Sequence, residues 1–225
     1  MSQDQGLPLY PRFIALLCRV GARCLARVQI EGVEGLPTTG PLIIAANHMS
    51  NTDPPFIGGW LAPALQRRPL FLAKDALFVG PIGPFLRTLG AAPVKAGGSD
   101  MAAYRAAKAV LEAGNVVAIL PEGTRSRDGV LGKPRPGVAL LATGTGAPIL
   151  PVGISGTDKL MGPGQKFPHL GARVTMRVGR PFHLTLQDAT DRRAALAAAD
   201  EELMRRIAAL LEPRHRGEWE PWPGA

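Results

Sequence analysis

Short apolar runs alternate with longer amphipathic stretches along most of this chain. The pattern predicts six strands, at residues 28–31, 42–46, 69–74, 116–120, 149–154 and 173–179. It predicts helices at 11–28, 54–61, 100–113, 136–143 and 190–211, and short helices joined by tight turns where Gly and Pro interrupt residues 75–93. This alternation favours an α/β fold, with a mixed, largely parallel sheet flanked by helices on both faces.

The length of 225 residues suits one domain with a substantial core. We expect three parts. Residues 1–31 form an N-terminal amphipathic helix and a lead-in strand, residues 32–212 form the main domain, and the Pro-rich residues 213–225 form a flexible tail.

The first helix is basic and amphipathic. Arg12, Arg19, Arg23 and Arg27 are spaced by seven, four and four positions and therefore share one stripe beside an apolar face. Such a helix is typical of one that lies in a membrane interface, with its arginines toward anionic headgroups. It is too short and too charged to span a bilayer, which takes ~20 apolar residues, and it lacks the features of a secretory signal. We therefore expect a peripheral or monotopic protein on the cytoplasmic face of the membrane. The alternative is a surface helix that packs its apolar side onto the domain.

Composition narrows the possible partners. The chain has a net charge of +8, which suits nucleic acid, an anionic membrane surface or phosphorylated substrates. Aromatic residues make up only 5% of it and no nucleic-acid-binding motif occurs, so nucleic acid is not expected. Cys18 and Cys24 are six helical positions apart and point in different directions, so we expect neither a disulfide nor a metal site.

A polar run from Asn47 to Asp53 follows the buried strand 42–46 and precedes two prolines that open a helix. On one regular helix His48 and Asp53 would point about 140° apart, whereas a turn can fold the carboxylate back onto the imidazole. A carboxylate in that place sets which ring nitrogen is protonated, so the pair predicts a general base. Two simpler roles stay open: a helix N-cap for Asp53 and a structural bond to a loop carbonyl for His48.

A second polar run, Pro121 to Ser126, follows the apolar strand 116–120. Functional groups gather at the carboxyl ends of strands in open α/β sheets, so we expect both runs in one site. Gly123 lets the backbone approach a ligand, Arg125 offers a fork for phosphate, and Glu122 can orient either neighbour. The alternative is a turn with a surface ion pair.

Together these blocks resemble the PlsC-like glycerolipid acyltransferases, which include 1-acylglycerol-3-phosphate acyltransferases. The family's Asn-His-x-x-x-x-Asp block matches Asn47, His48 and Asp53, and its Pro-Glu-Gly-Thr-Arg-Ser block matches residues 121–126 without a gap. A Lys-x-Gly-type turn resembles residues 135–137 and an apolar Pro-Val block resembles 149–153, so the likeness covers roughly residues 32–179. One block differs from the family's motif: where the family has an Arg that helps to hold the acceptor phosphate, this chain has Lys95 and then Ala96. That departure leaves open a weaker phosphate clamp or a different acceptor.

The resemblance implies acyl transfer without an acyl-enzyme and without a cofactor or metal. His48 and Asp53 would be catalytic, and Glu122, Gly123, Thr124, Arg125 and Lys95 would bind substrate. The implied donor is acyl-CoA or acyl carrier protein, and the implied acceptor is lysophosphatidate at an anionic membrane surface. The alternatives are another lysolipid or polar-lipid acceptor, a thioesterase or lipase, and a catalytically idle module that binds membrane or acyl carrier. No Gly-x-Ser-x-Gly elbow for a hydrolase nucleophile occurs.

Overall fold

A computed structural model of the chain describes residues 7–75, 78–80, 82–88, 90–94, 100–186 and 191–223. Within these ranges seven strands form one sheet in the order β1-β7-β6-β2-β5-β3-β4. The strands are β1 (Ala26–Glu31), β2 (Leu42–Ala46), β3 (Leu70–Lys74), β4 (Ala91–Val94), β5 (Val116–Ile119), β6 (Ile149–Ser155) and β7 (Ala172–Val178). The helices are α1 (Leu9–Leu25), α2 (Asp53–Leu65), α3 (Ile82–Thr88), α4 (Asp100–Glu112), α5 (Val138–Thr145), α6 (Thr157–Met161) and α7 (Arg192–Leu210), with a 3₁₀ turn at Pro213–His215.

The sheet is mixed and largely parallel, which confirms the expected fold class. Strands β2 to β6 run parallel to one another. Strand β7 runs antiparallel to β6, and β1 at the sheet edge runs parallel to β7. The prediction was wrong for β4, which we expected among short helices, and it missed α6. Strand β4 forms the opposite edge, where Pro93 is tolerated because an edge residue can lack a ladder N–H donor.

The central strand β2 is buried on both faces, which explains its unbroken apolar sequence. Leu42, Ile44 and Ala46 belong to the core on the side of α2. Ile43 and Ala45 belong to the core on the other side, together with residues of α4, α5 and α7. The polar run after β2 therefore starts from a fully buried strand at the centre of the sheet.

Helix α1 presents its apolar face outward, and its arginines are arranged differently from the expected stripe. The helix ends at Leu25, so Arg27 lies in β1. Arg19 Nε donates to Gly59 O of α2 over 2.6 Å, and the Arg23 guanidinium lies over the Trp60 ring. Two of the four arginines thus contact the domain. Six large apolar side chains are instead 51–82% exposed: Leu9, Tyr10, Phe13, Leu16, Leu17 and Val20. Among the described residues, no helix is both long and apolar enough to cross a bilayer.

The segment that we expected to be a flexible tail lies against the domain over its described residues. His215 is buried, and the Trp219 indole N–H donates to Gly132 O over 3.1 Å. Trp222 lies against the guanidinium groups of Arg205 and Arg206 on α7. These contacts join the chain beyond α7 to both α7 and the loop after β5.

Candidate active site

The two polar runs meet at the carboxyl end of the sheet, as predicted. Strands β2 and β5 are parallel neighbours, with Ile43 opposite Val117 and Ala45 opposite Ile119. The two runs therefore emerge side by side. They are joined by a hydrogen bond of 2.7 Å from Ser126 N to His48 O.

His48 and Asp53 are in direct contact. The imidazole Nδ1 lies 2.9 Å from Asp53 Oδ2, and the histidine side chain is 16% exposed while the aspartate is fully buried. A carboxylate only accepts, so Nδ1 carries the hydrogen and Nε2 keeps its lone pair. Within the described part of the chain Nε2 has no hydrogen-bond partner. The turn thus leaves one basic nitrogen unused at the partly exposed side of the ring.

Asp53 organises the turn that contains it. Its Oδ2 also accepts hydrogen bonds from Met49 N (2.8 Å) and Ser50 N (2.7 Å), so the carboxylate holds the backbone that precedes α2. The residue in the N-cap position is Thr52, and Asp53 is the first residue of the helix. There the positive end of the helix dipole stabilises a negative charge. Asp53 Oδ1 is buried with no hydrogen-bond partner among the described residues.

Glu122 connects the two polar runs through backbone contacts. Its Oε1 accepts from His48 N over 2.7 Å, and its Oε2 accepts from Gly132 N over 2.9 Å. The side chain is 5% exposed. Burial raises the pKa of this carboxyl, and the nearby charge of Asp53 adds to the rise, while the hydrogen bonds from the backbone N–H groups of His48 and Gly132 oppose it. Both oxygens are thus used inside the protein, where they position the histidine and the loop after residue 126.

Asn47 and Ser50 anchor the histidine turn to β6 and to the end of α6, respectively. The Asn47 amide donates to Ile154 O over 2.8 Å and accepts from Ile154 N over 2.7 Å. Ser50 Oγ donates to Met161 O at the end of α6 over 2.6 Å. Sequence reasoning noted Asn47 only as part of a motif and assigned no role to Ser50, because both partners lie more than 100 residues away.

The second polar run presents exposed groups beside this turn. Gly123 and Thr124 are exposed and Arg125 is half-buried, and the Arg125 side chain has no hydrogen-bond or ion-pair partner among the described residues. Gly123 has φ +65°, and a Cβ there would lie 2.5 Å from Cδ of Arg135. Arg135 therefore lies against the turn. From the sequence, the basic residues after 126 predicted only additional positive charge in this region, not this contact. Lys95, the remaining predicted site residue, lies outside the described residues.

In the described ranges no group of three or more His, Cys, Asp or Glu side chains is placed to hold a metal ion. The described site therefore offers a base, a buried acid that orients it, and adjacent cationic groups.

Comparison with known proteins gives consistent matches. A family model described as Acyltransferase matches residues 27–155. The chain is 30% identical over 161 residues to 1-acyl-sn-glycerol-3-phosphate acyltransferase LPAT1, chloroplastic, of Arabidopsis thaliana, covering 70% of this chain and 44% of the relative. It is 27% identical over 200 residues to the 1-acyl-sn-glycerol-3-phosphate acyltransferase of Bacillus subtilis, covering 88% and 96%.

A crystal structure of the 1-acyl-sn-glycerophosphate acyltransferase PlsC from Thermotoga maritima aligns with a TM-score of 0.69 and 26% identity, covering 89% of this chain and 79% of that one. The chain spans about half the length of the first curated relatives that it matches, 40–53%.

Proposed function

Because this chain belongs to the PlsC-like acyltransferase family, we propose that it transfers a fatty acyl group from an acyl thioester to the free hydroxyl of lysophosphatidate. The product is phosphatidate and the thiol of the donor is released. The observation that carries this proposal is the contact of 2.9 Å between His48 Nδ1 and the buried Asp53 carboxylate, with Nε2 left unpartnered.

In the proposed reaction His48 Nε2 takes the proton of the acceptor hydroxyl as its oxygen attacks the thioester carbonyl carbon. The new C–O ester bond forms, the C–S bond breaks, and the imidazolium returns its proton to the leaving thiolate. Asp53 holds the ring and stabilises the imidazolium while it exists. The acceptor hydroxyl thus takes the part that a serine plays in hydrolases, and the step needs no acyl-enzyme.

We assign the acceptor phosphate to the turn that contains Gly123, Thr124 and Arg125. The Arg125 guanidinium has no competing partner in the described part of the chain, and its fork can make two charge-assisted bonds to one phosphate. Arg135 lies against Gly123 and adds a second positive charge beside the same turn. Glu122 supports this subsite indirectly, since it ties the turn to His48.

We further propose that α1 lies in the interface of the membrane that supplies the acceptor. Its six outward apolar side chains would enter the acyl boundary, and the exposed Arg12 would remain near anionic headgroups. The donor in this proposal is acyl-CoA or acyl carrier protein, and the protein is peripheral or monotopic on the cytoplasmic face.

Product analysis by mass spectrometry tests the proposed activity. The purified protein is incubated with acyl-CoA or acylated carrier protein and a panel of lysolipids on vesicles. We expect phosphatidate from lysophosphatidate, and a loss of about 10²–10⁴-fold in turnover for His48→Ala, the usual contribution of a general base. Thiol release that needs no acceptor would instead indicate a thioesterase. Turnover of His48→Ala within tenfold of wild type would refute the general-base assignment.

A further inference from the structure

The loop of residues 126–133, which follows the Arg125 turn, is held by the C-terminal end of the chain. Three hydrogen bonds join them: His215 Nδ1 to Gly129 O (2.5 Å), Leu131 N to His215 O (2.8 Å) and Trp219 Nε1 to Gly132 O (3.1 Å). Residues 212–219, which we call the C-terminal clasp, thus contact this loop at three residues between 129 and 132.

One loop residue links the clasp to the site. Gly132 O accepts from Trp219, while Gly132 N donates to Glu122 Oε2 over 2.9 Å. The other oxygen of Glu122 accepts from His48 N. A continuous series of hydrogen bonds therefore runs from the Trp219 indole through Gly132 and Glu122 to the backbone of the histidine.

The clasp is also held by contacts to the end of β6 and to Val130 in the loop. Glu212 N donates to Ser155 Oγ at the end of β6 over 3.2 Å, and the His215 side chain is buried. Gly217 has φ +63°, and a Cβ there would lie 2.5 Å from Val130 Cγ1. The left-handed turn and the close approach both require a glycine at this position. These contacts leave the clasp little room to shift relative to the loop.

We propose that the C-terminal clasp positions Glu122, and through it His48 and the Arg125 turn, with Trp219 as the positioning residue. For acyl transfer this inference rests on the function proposed above. The clasp lies outside the residues 27–155 that match the family model, so that match assigns it no role. Without the Trp219 N–H, Gly132 is freer to move away from Glu122, and the backbone of His48 loses part of its support.

Trp219→Phe tests the proposal, because phenylalanine keeps an aromatic ring but lacks the indole N–H donor, and the control described next makes the same loss of ring volume. Trp222→Phe is the matched control: it makes the same chemical change in the same segment, on a ring that lies against Arg205 and Arg206 instead. We expect kcat/KM to fall about three- to tenfold in Trp219→Phe and less than twofold in Trp222→Phe. Amide hydrogen exchange of a peptide spanning residues 126–135 should be faster only in Trp219→Phe.

A second pair of variants separates positioning from general loss of structure. His215→Asn offers an amide donor for Gly129 O, whereas His215→Leu does not. We expect the asparagine variant to exchange more slowly over residues 126–135 than the leucine variant. Unchanged exchange in Trp219→Phe, or equal effects of Trp219→Phe and Trp222→Phe, would overturn the proposal. If wild-type protein transferred no acyl group to any acceptor, the proposed function would fall, and the exchange measurements would still decide whether the clasp holds the loop.

Discussion

Replacing Glu122 with Gln separates the positioning role of this residue from its charge. Gln keeps the shape and one acceptor oxygen, but its amide nitrogen then faces a backbone N–H of either His48 or Gly132. One of the two bonds, of 2.7 and 2.9 Å, is therefore lost and a buried N–H is left without an acceptor. We expect the connection between the two polar runs to loosen.

The size of the effect follows from these contacts. A hydrogen bond to a charged group contributes roughly 1.5–3 kcal/mol, and a buried donor without a partner costs about 1–3 kcal/mol. If most of one such bond is needed to hold His48 in place, kcat/KM should fall on the order of 10- to 100-fold. The measurement is steady-state acyl transfer to lysophosphatidate at several acceptor concentrations.

Stability should respond differently from activity, because burial raises the pKa of the Glu122 carboxyl. The folded protein then binds this proton more tightly than the unfolded chain does. The contribution of Glu122 to stability therefore falls as the pH rises from the ordinary glutamate value, ~4.3, through the raised value in the folded state. Glu122→Gln lacks this contribution, so the stability of wild type relative to the variant should decrease over the same pH range in thermal unfolding.

Glu218→Gln is the matched control, since Glu218 lies beside the same loop but is exposed, and its one ion pair with a described residue is to Lys133 at 3.6 Å. An exposed pair of this kind contributes little, so its activity should stay within twofold of wild type. Wild-type activity in Glu122→Gln, or an equal loss in Glu218→Gln, would show that the hydrogen bonds of Glu122 to His48 N and Gly132 N do not position the histidine.

Three further predictions concern the acceptor, the membrane and a second buried acid. Arg125→Lys should raise the KM for lysophosphatidate about tenfold or more and change the weaker reaction with monoacylglycerol little, as measured by kinetics with both acceptors. Changing Phe13 and Leu17 together to Ser should lower co-sedimentation with anionic vesicles by about tenfold or more, since each buried side chain contributes roughly 1.5–3 kcal/mol. Asp200→Asn keeps an acceptor for Ala139 N and removes a carboxyl whose pKa is raised by burial, so its thermal stability relative to wild type should increase as the pH rises above ~4.

Each of the first two predictions has a control in the same chain. Arg127→Lys changes a neighbouring exposed arginine and should leave both acceptor reactions unaltered. Phe167 and Leu170, which are 79% and 75% exposed, offer a matched pair of apolar residues outside α1. If their change to Ser weakened vesicle binding as much as the change in α1, the assignment of membrane contact to α1 would be refuted.

The contact between His48 and Asp53 could be predicted because a buried strand that ends at Ala46 and a helix that begins at Asp53 leave only six residues between them. The meeting of the two polar runs followed likewise from two apolar strands in a parallel sheet. The role of Glu122 could not be predicted, since its two N–H partners lie 74 and 10 positions away. A carboxylate that binds a ligand and one that binds backbone have the same sequence pattern.

Which face of α1 packs on the domain also could not be predicted from the sequence. An amphipathic helix can pack by either face, and the choice depends on how closely its partner can approach. Here a Cβ at Gly59 would lie 3.2 Å from Cβ of Cys18, so the small residues of the two helices meet. The bulky apolar residues of α1 are left outside. Strand β4 was missed because four residues that include a proline carry almost no strand signal.

The pairing of β1 with β7 has a consequence for how the chain is made. Ala26 lies opposite Ala172, so the first strand cannot enter the sheet until 146 further residues have been synthesised. At 5–20 residues per second this delay is roughly 7–30 s. During that time β1 lacks its partner strand β7, although α1 can already pack on α2. The exposed apolar face of α1 is thus formed well before β1 takes its place at the edge of the sheet.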